Sequence, residues 1–219
     1  MKTRNHAALN PNALFTSELT VEDVMAAPVL YMDYLTRLMC CPPTCGAGAA
    51  IICSEAFAKR HAIDHGVEIV AQAMATDTPA TWDNPINLVG ADMTRRAARK
   101  VYEEAGIGAE EIDVVELHDC FTTNEVITYE GLGLCAEGEA TALVDNGDNT
   151  YGGKFVVNPS GGLMSKGHPI GATGLAQCYE LVNQLRNTAG QRQVAGARVA
   201  LQHNLGLGGA AVVTMYRRA

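Results

Sequence analysis

Between Asn158 and Gln177 the chain reads Asn-Pro-Ser-Gly-Gly-Leu-Met-Ser-Lys-Gly-His-Pro-Ile-Gly-Ala-Thr-Gly-Leu-Ala-Gln, with five glycines and two prolines around a single histidine, His168. No other stretch restricts the fold as much. A segment so poor in side-chain bulk brings backbone close to another group and follows a path that ordinary residues avoid. Beyond Gly171 apolar residues recur at helical spacing, at Leu175, Cys178, Tyr179, Val182 and Leu185. The loop therefore ends at a helix N-terminus, where free N–H groups favour anionic or carbonyl oxygens. A glycine turn before a helix often only closes a tight connection, with its histidine hydrogen-bonded and structural, so the weight of His168 depends on what else the chain offers.

Two further segments add to it. Val114-Val115-Glu116-Leu117-His118-Asp119-Cys120-Phe121-Thr122 is a short β-like run that ends in His, Asp and Cys just before a helix-like segment. Val199 to Val213 holds two β-like runs joined by His203-Asn204 and a glycine turn, Gly206 to Gly209. Each of the three places a histidine at the end of an apolar run or in a glycine loop, the kind of position from which functional residues act.

These loops carry a resemblance. Gly167-His168-Pro169-Ile170-Gly171-Ala172-Thr173-Gly174, with the preceding Asn158-Pro159-Ser160-Gly161-Gly162, resembles the histidine loop of the thiolase superfamily. His118-Asp119-Cys120-Phe121 and His203-Asn204-Leu205-Gly206-Leu207-Gly208-Gly209 resemble the variants of the sterol carrier protein 2 type of thiolase, where most members carry Asn-Glu-Ala-Phe and Cys-x-Gly loops. The likeness runs from about Asn10 to the C-terminus and includes Cys40-Cys41-Pro42 and Gly147 to Gly153.

Composition sets the wider frame. A chain of 219 residues, 47% apolar and 18% charged, is a globular protein with a sizeable core. The net charge of −8 leaves no basic footprint for nucleic acid. No apolar run is long enough to span a bilayer and no signal peptide is visible. Seven cysteines in such a chain read as free thiols of a reducing compartment. Cys40, Cys41 and Cys45 invite a metal reading, but no second Cys or His pair follows, so no metal site is expected.

Along the chain, Thr20-Val21-Glu22-Asp23 is a capping box opening a short helix that ends before Pro28. Residues 1–43 have too few apolar side chains for a core of their own. A small-residue strand is expected at Ala47–Cys53, a helix at Glu55–His65 and a strand at Val67–Gln72, an order that predicts a parallel crossover. Residues Asp77–Pro85, rich in Pro, Thr and Asp, are the candidate boundary. A helix through Met93, Ala97, Val101 and Tyr102 ends near Gly106. Strand Asp113–Leu117, helix Thr123–Leu132, a turn-rich passage Glu137–Gly153, strand Phe155–Asn158, the histidine loop with its helix, and strands Arg198–His203 and Ala210–Tyr216 complete the pattern. The residues alone give an α/β fold.

The resemblance implies more: a thiolase-like fold of αβαβα layers, incomplete because most of the N-terminal half is missing. Residues 1–43 correspond to a remnant of a loop domain laid over the active site, 44–85 to the end of the N-terminal domain, and 86–219 to the C-terminal domain. The implied activity is CoA-dependent thiolytic cleavage of a 3-oxoacyl-CoA, in fatty acid or sterol side-chain breakdown. Such chemistry needs a thiolate nucleophile, a base to make it, a second acid/base, and donors for the oxyanions. In this mapping His168 activates the nucleophile and helps bind a thioester oxygen. Cys120 is the second acid/base thiol, because His203 stands in place of the usual Cys-x-Gly cysteine. His118 takes the place of an oxyanion-binding Asn, and His203 with the Gly206–Gly209 backbone lines the other side. Ser160, Gly161 and Gly162 approach the pantetheine of CoA, a co-substrate rather than a tightly bound cofactor. Lys166 meets a phosphate or solvent, and Glu116 and Asp119 orient neighbours or face water.

The family's acylated cysteine lies upstream of the matched portion, so a partner is implied: a complementary N-terminal half, or a second copy in a homodimer. The alternative is a non-catalytic thiolase-like subunit that binds acyl-CoA or a partner protein. A eukaryotic relative is expected in peroxisomes and a bacterial one in the cytoplasm, although Arg217-Arg218-Ala219 is not a Ser-Lys-Leu type ending.

Overall fold

The computed structural model describes residues 1–63, 66–206 and 209–219. In chain order the elements are α1 (Lys2–Ala7), α2 (Val21–Ala26), β1 (Val29–Tyr31), β2 (Leu35–Thr36), α3 (Glu55–Arg60), β3 (Val67–Thr76), α4 (Pro85–Leu88), α5 (Ala91–Ala105), β4 (Val114–Glu116), α6 (Thr122–Gly131), α7 (Ala140–Asp145), β5 (Val156–Val157), α8 (Thr173–Arg186), β6 (Val199–Gly206) and β7 (Ala210–Arg218).

Five strands form one sheet in the order β3-β7-β6-β4-β5. The pairs β4–β5 and β4–β6 are parallel, while β7 runs antiparallel to both β6 and β3. Alternation along the strands sorts side chains onto two faces. One face carries Ala73, Val115, Leu117, Leu201, Val213 and Met215, packed with Met93, Ala97 and Val101 of α5, Tyr129 of α6 and Leu143 of α7. The other carries Val114, Ala200 and Tyr216, packed with Leu181 and Leu185 of α8. The chain thus builds a helix–sheet–helix sandwich.

Local sequence explains the two long helices. In α5 the buried residues Met93, Ala97 and Val101 recur every four positions, while Asp92–Arg96 and Arg99–Glu103 pair along its exposed side. Gly106 stops it with φ +64°, a conformation glycine adopts without steric cost. α8 buries Thr173, Gln177, Glu180, Leu181, Gln184 and Leu185, and ends on Asn187 in the same left-handed region. The Thr20 capping box opens α2 as its sequence requires.

Residues 44–85 depart from the expected pattern. Ala47–Cys53 is no strand: it has no regular structure and is exposed, Ile51 and Ile52 being 99% and 77% accessible. The backbone groups of residues 46–53 make no hydrogen bond among the described residues. A strand exists only where a partner strand accepts its ladder, and among the described residues none pairs with this segment. The helix after it stops at Arg60, with Ala62 at φ +51°; His65 lies outside the described residues. No parallel crossover forms, because β3 pairs antiparallel with β7 from Val67↔Arg218 to Thr76↔Ala210. Residues 77–85 therefore link β3 to helices packed on its own sheet. The turn-rich passage Glu137–Gly153 contains the short helix α7.

Candidate active site

Three chain segments meet at the ends of β4 and β6 and at the start of α8. The loop leaving β4 carries His118, Asp119 and Cys120. The loop before α8 carries His168. Residues 40–44 cross over both: Cys40 bridges Phe121 in antiparallel fashion, Pro43 bridges His168 in parallel fashion, Cys41 N–H donates to Cys120 O at 2.9 Å, and His168 N–H donates to Thr44 Oγ1 at 3.0 Å.

The loop before α8 is held by buried polar anchors. Asn158, at φ +53°, accepts from Leu117 N–H through Oδ1 at 2.8 Å and donates its own N–H to Val115 O at 2.7 Å. Ser160 donates from its backbone N–H and its hydroxyl to the two oxygens of Glu116, at 3.0 and 2.8 Å. Asp119 Oδ1 accepts from Leu163 N–H at 2.7 Å. Glu116 and Asp119 are both fully buried, so their expected choice between orienting neighbours and facing water falls to the former. Burial, then the charge of Glu180, raises the Glu116 carboxyl to about 7, against the opposing pull of Lys166 and Ser160. Asp119 is raised well above the usual carboxylate range by burial and then by Glu125.

The N-terminal arm completes the frame. Lys2 pairs with Glu125 and also reaches Tyr129 Oη and Val157 O, both at 3.3 Å. The His6 ring bonds Asn158 O through Nδ1 at 3.1 Å and Thr150 Oγ1 through Nε2 at 2.7 Å. Asn10 Nδ2 donates to Ser160 O at 2.8 Å. Residues 1–15 thus brace the loop from outside, and Leu14 and Phe15 donate backbone N–H groups to Lys166 O and Ser165 O.

The imidazoles of His118 and His168 lie edge to face with ring centroids 4.9 Å apart. His168 Nδ1 meets Thr173 Oγ1 at 2.7 Å, and that hydroxyl donates its proton to Pro169 O at 3.2 Å. Thr173 is therefore the acceptor for Nδ1–H, which leaves the Nε2 lone pair free to take a proton. Burial and then the Lys166 charge lower the His168 pKa. Burial and then the His168 ring lower His118 to about 4, opposed by a hydrogen bond that the ring donates to the Asn204 side chain. Both rings are accordingly neutral at pH 7. Cys120 is half-buried, and burial, followed by the neighbouring Cys41 and Asp119, pushes its thiol up to about 12. It is a proton donor at neutral pH, not a thiolate.

His203 is not on the side of the sheet that faces His168. The register His203↔Val213 places it with Leu201 on the α5 face. There it is fully buried, its Nε2 3.0 Å from Thr94 Oγ1, and burial followed by the His118 ring lowers its pKa to about 3. Its neighbour Asn204 takes the α8 side instead, where its amide donates to Gln177 Oε1 and the side chain meets His118. The register thus puts Asn204 on the α8 side and His203 on the α5 side, because adjacent residues of a strand point to opposite faces.

Ser160, Gly161 and Gly162 are likewise enclosed: Ser160 is 1% exposed, a Cβ on Gly161 would meet Ala7 at 2.6 Å, and one on Gly162 would meet Asp119 at 2.3 Å. In this chain the three hold the loop together, and Ser160 also lines a cavity of about 270 Å³ with Asn10, Lys166 and Gly167. Lys166 is partly buried and its Nζ reaches Gly167 O at 3.3 Å. Of the glycine turn after β6, residues 207 and 208 lie outside the described residues. Among the described residues there is no group of three or more His, Cys, Asp and Glu that could hold a metal, and no helix is long and apolar enough to cross a membrane. Sequence reasoning does not single out Thr173 or Asn204 as site groups. Thr173 follows His168 by five positions in the same loop, a spacing that marks it; the role of Asn204 follows only from strand register.

The chain is similar over 219 residues to sterol carrier protein 2 of Rattus norvegicus, at 59% identity, and of Homo sapiens, at 57%; each match covers 99% of this chain and 40% of the relative. It is 40% identical to the benzoylsuccinyl-CoA thiolase subunit BbsB of Thauera aromatica, covering 100% of this chain and 56% of that protein. The chain therefore spans about two fifths to a little over half the length of these relatives. Among solved structures, the Ltp2-ChsH2(DUF35) aldolase shares the fold with a TM-score of 0.82 at 22% identity, covering 99% of this chain and 56% of that one. Residues 73–216 match the family described as thiolase C-terminal domain-like, and with the sheet order, the histidine loop and the relatives just named this establishes that the chain belongs to the thiolase family, as its C-terminal half.

Proposed function

We propose that this chain is the proton-transfer half of a 3-oxoacyl-CoA thiolase, cleaving its substrate with CoA in fatty acid or sterol side-chain breakdown. The observation that carries the reading is the pairing of the His118 and His168 rings, 4.9 Å apart, with Thr173 leaving the His168 Nε2 lone pair free. In this assignment His168 takes the proton from an attacking thiol, and His118 helps hold the thioester oxygen. Cys120, kept as a thiol by burial, returns a proton to the departing α-carbon. Each acid/base group of this kind contributes about 10²–10⁴-fold to rate. Coenzyme A enters as co-substrate, with no tightly bound cofactor. A eukaryotic protein of this kind belongs in the peroxisome and a bacterial one in the cytoplasm.

The acylated nucleophile comes from elsewhere: from a complementary N-terminal half, in a protein that dimerises. The unpaired backbone of residues 46–53, the exposed Ile170 before α8 and the exposed Leu175 and Tyr179 on it support such a partner. The test is CoA-dependent loss of acetoacetyl-CoA by the chain joined to that half, with His168→Ala and Cys120→Ala as variants. Loss of at least about a hundredfold in each is expected; activity unaffected by both substitutions refutes the assignment.

One observation favours a second reading, a non-catalytic subunit that binds acyl-CoA or a partner protein. Both thiols of this region, Cys41 and Cys120, have raised pKa values, so neither is an activated nucleophile. Calorimetric binding of CoA without turnover in the joined protein selects that reading.

A further inference from the structure

Cys120 has a second thiol opposite it. The bridge Cys40↔Phe121, closed by the bond from Cys41 N–H to Cys120 O, is an antiparallel pairing in which Cys41 stands directly across from Cys120. Residues so placed have Cα atoms about 5.5 Å apart and side chains on one face. Disulfides span Cα separations of about 4.4–6.8 Å. Alternation sends Cys40 to the opposite side, where its thiol reaches Thr36 O at 3.5 Å. The proximity of the two sulfurs also shows in electrostatics, since charge on Cys41 disfavours ionisation of Cys120. Both residues are half-buried, neither is already bonded, and Cys45 and Cys53 lie exposed on the segment that follows.

We propose that Cys41 and Cys120 form a reversible modification site, closing into a disulfide when the protein meets a low-molecular-weight disulfide such as oxidised glutathione. One of the two thiols, as its thiolate, attacks the reagent, whose S–S bond breaks to release one glutathione thiolate and leave a mixed disulfide. The other cysteine gives its proton to solvent and attacks the protein sulfur of that mixed disulfide, expelling the second glutathione. Two protein thiols are oxidised, one reagent disulfide is reduced to two thiols, and no further reactant is needed. The link ties residues 40–44 to the loop after β4. If the acyl-transfer reading is right, on which this regulatory consequence rests, it also removes the Cys120 proton donor.

The test treats the joined protein with oxidised glutathione, blocks remaining thiols and maps the unreduced peptides by mass spectrometry. A peptide pair joining Cys41 to Cys120, two hydrogens lighter than its parts, is expected. It should vanish in Cys41→Ser, persist in Cys40→Ser, and revert with dithiothreitol. Cys120 recovered only as a glutathione adduct or joined to another cysteine overturns the proposal, as does a link that survives in Cys41→Ser. Acyl-CoA plays no part in this readout. An inactive protein that forms the link sinks the acyl-transfer reading and upholds this one; an active protein without the link does the reverse. Where both hold, oxidation lowers thiolysis at least tenfold, and Cys41→Ser keeps its activity through the same treatment.

Discussion

Gly162→Ala is the most informative single change in the loop before α8. Gly162 has φ +61°, so any L side chain there carries left-handed strain of about 1 kcal/mol. Gly106 and Gly133 have φ +64° and +70° with nothing within 4 Å of where an alanine methyl would sit, so alanine at either isolates that strain alone. At Gly162 the methyl would lie 2.3 Å from Asp119 Oδ2 and 2.7 Å from Asn158 Nδ2. The Asp119 carboxylate has to move, and with it the bond that Leu163 N–H donates at 2.7 Å. Leaving the buried Leu163 N–H without its acceptor costs about 1–3 kcal/mol. Gly162→Ala should therefore cost about 2–4 kcal/mol in all, against about 1 for either control. For a domain with a stability of about 5–15 kcal/mol that is a large share. Urea denaturation followed by far-ultraviolet circular dichroism reads the differences as midpoint shifts at constant slope. A Gly162→Ala variant no less stable than Gly133→Ala would show that Asp119 yields freely and that the loop is not clamped as described.

Removing one partner of the buried pair Arg192–Glu180, whose side chains are 9% and 2% exposed, should cost about 3–5 kcal/mol in Arg192→Met, while the double variant with Glu180→Leu recovers most of the stability. Lys2→Ala strands Glu125 beneath Tyr129 and should lower the urea midpoint more than removal of the exposed pair member Lys59. Thr173→Val strips His168 of its Nδ1 partner; in the joined protein kcat should fall about tenfold, as expected for one lost hydrogen bond, with the pH profile displaced as well. Stability against pH should show two opposed components. His6, His118 and His203 have folded pKa values of about 4, 4 and 3, below the unfolded 6.5, so protons favour the unfolded chain and stability falls as pH drops from about 6.5 towards 4. Glu116, raised to about 7 from 4.5, acts the other way, favouring the fold as pH falls through that range. Glu116→Gln should therefore steepen the acid-side loss between pH 7 and 4.5 in thermal melts, and an unchanged slope would contradict the assignment.

The long helices are legible in the sequence because their information is local. The apolar spacing of α5 and its stop at Gly106 are complete within the segment, as is the turn from His168 into α8. The stretch Ala47–Cys53 has the small and β-branched residues of a strand, but a strand is defined by its neighbour, and the sequence of a segment does not say whether one is present. The same limit separates His203 from Asn204. Both sit in one glycine-rich strand end, and only pairing with Val213 and Val212 decides which side chain meets α8. Glu116 is equally opaque: its partner Ser160 is 44 positions away, and nothing near Glu116 announces that its carboxylate is buried.

The stretch Gly46-Ala-Gly-Ala-Ala-Ile-Ile-Cys leaves a row of amide and carbonyl groups beside two bare isoleucines, with no charge or proline among them. Such a ribbon adheres to any sheet margin it encounters, including its own duplicate. Handled alone at high concentration, this polypeptide should thicken into fibrous precipitate from that point outward, and a lysine at Ile51 should keep it clear.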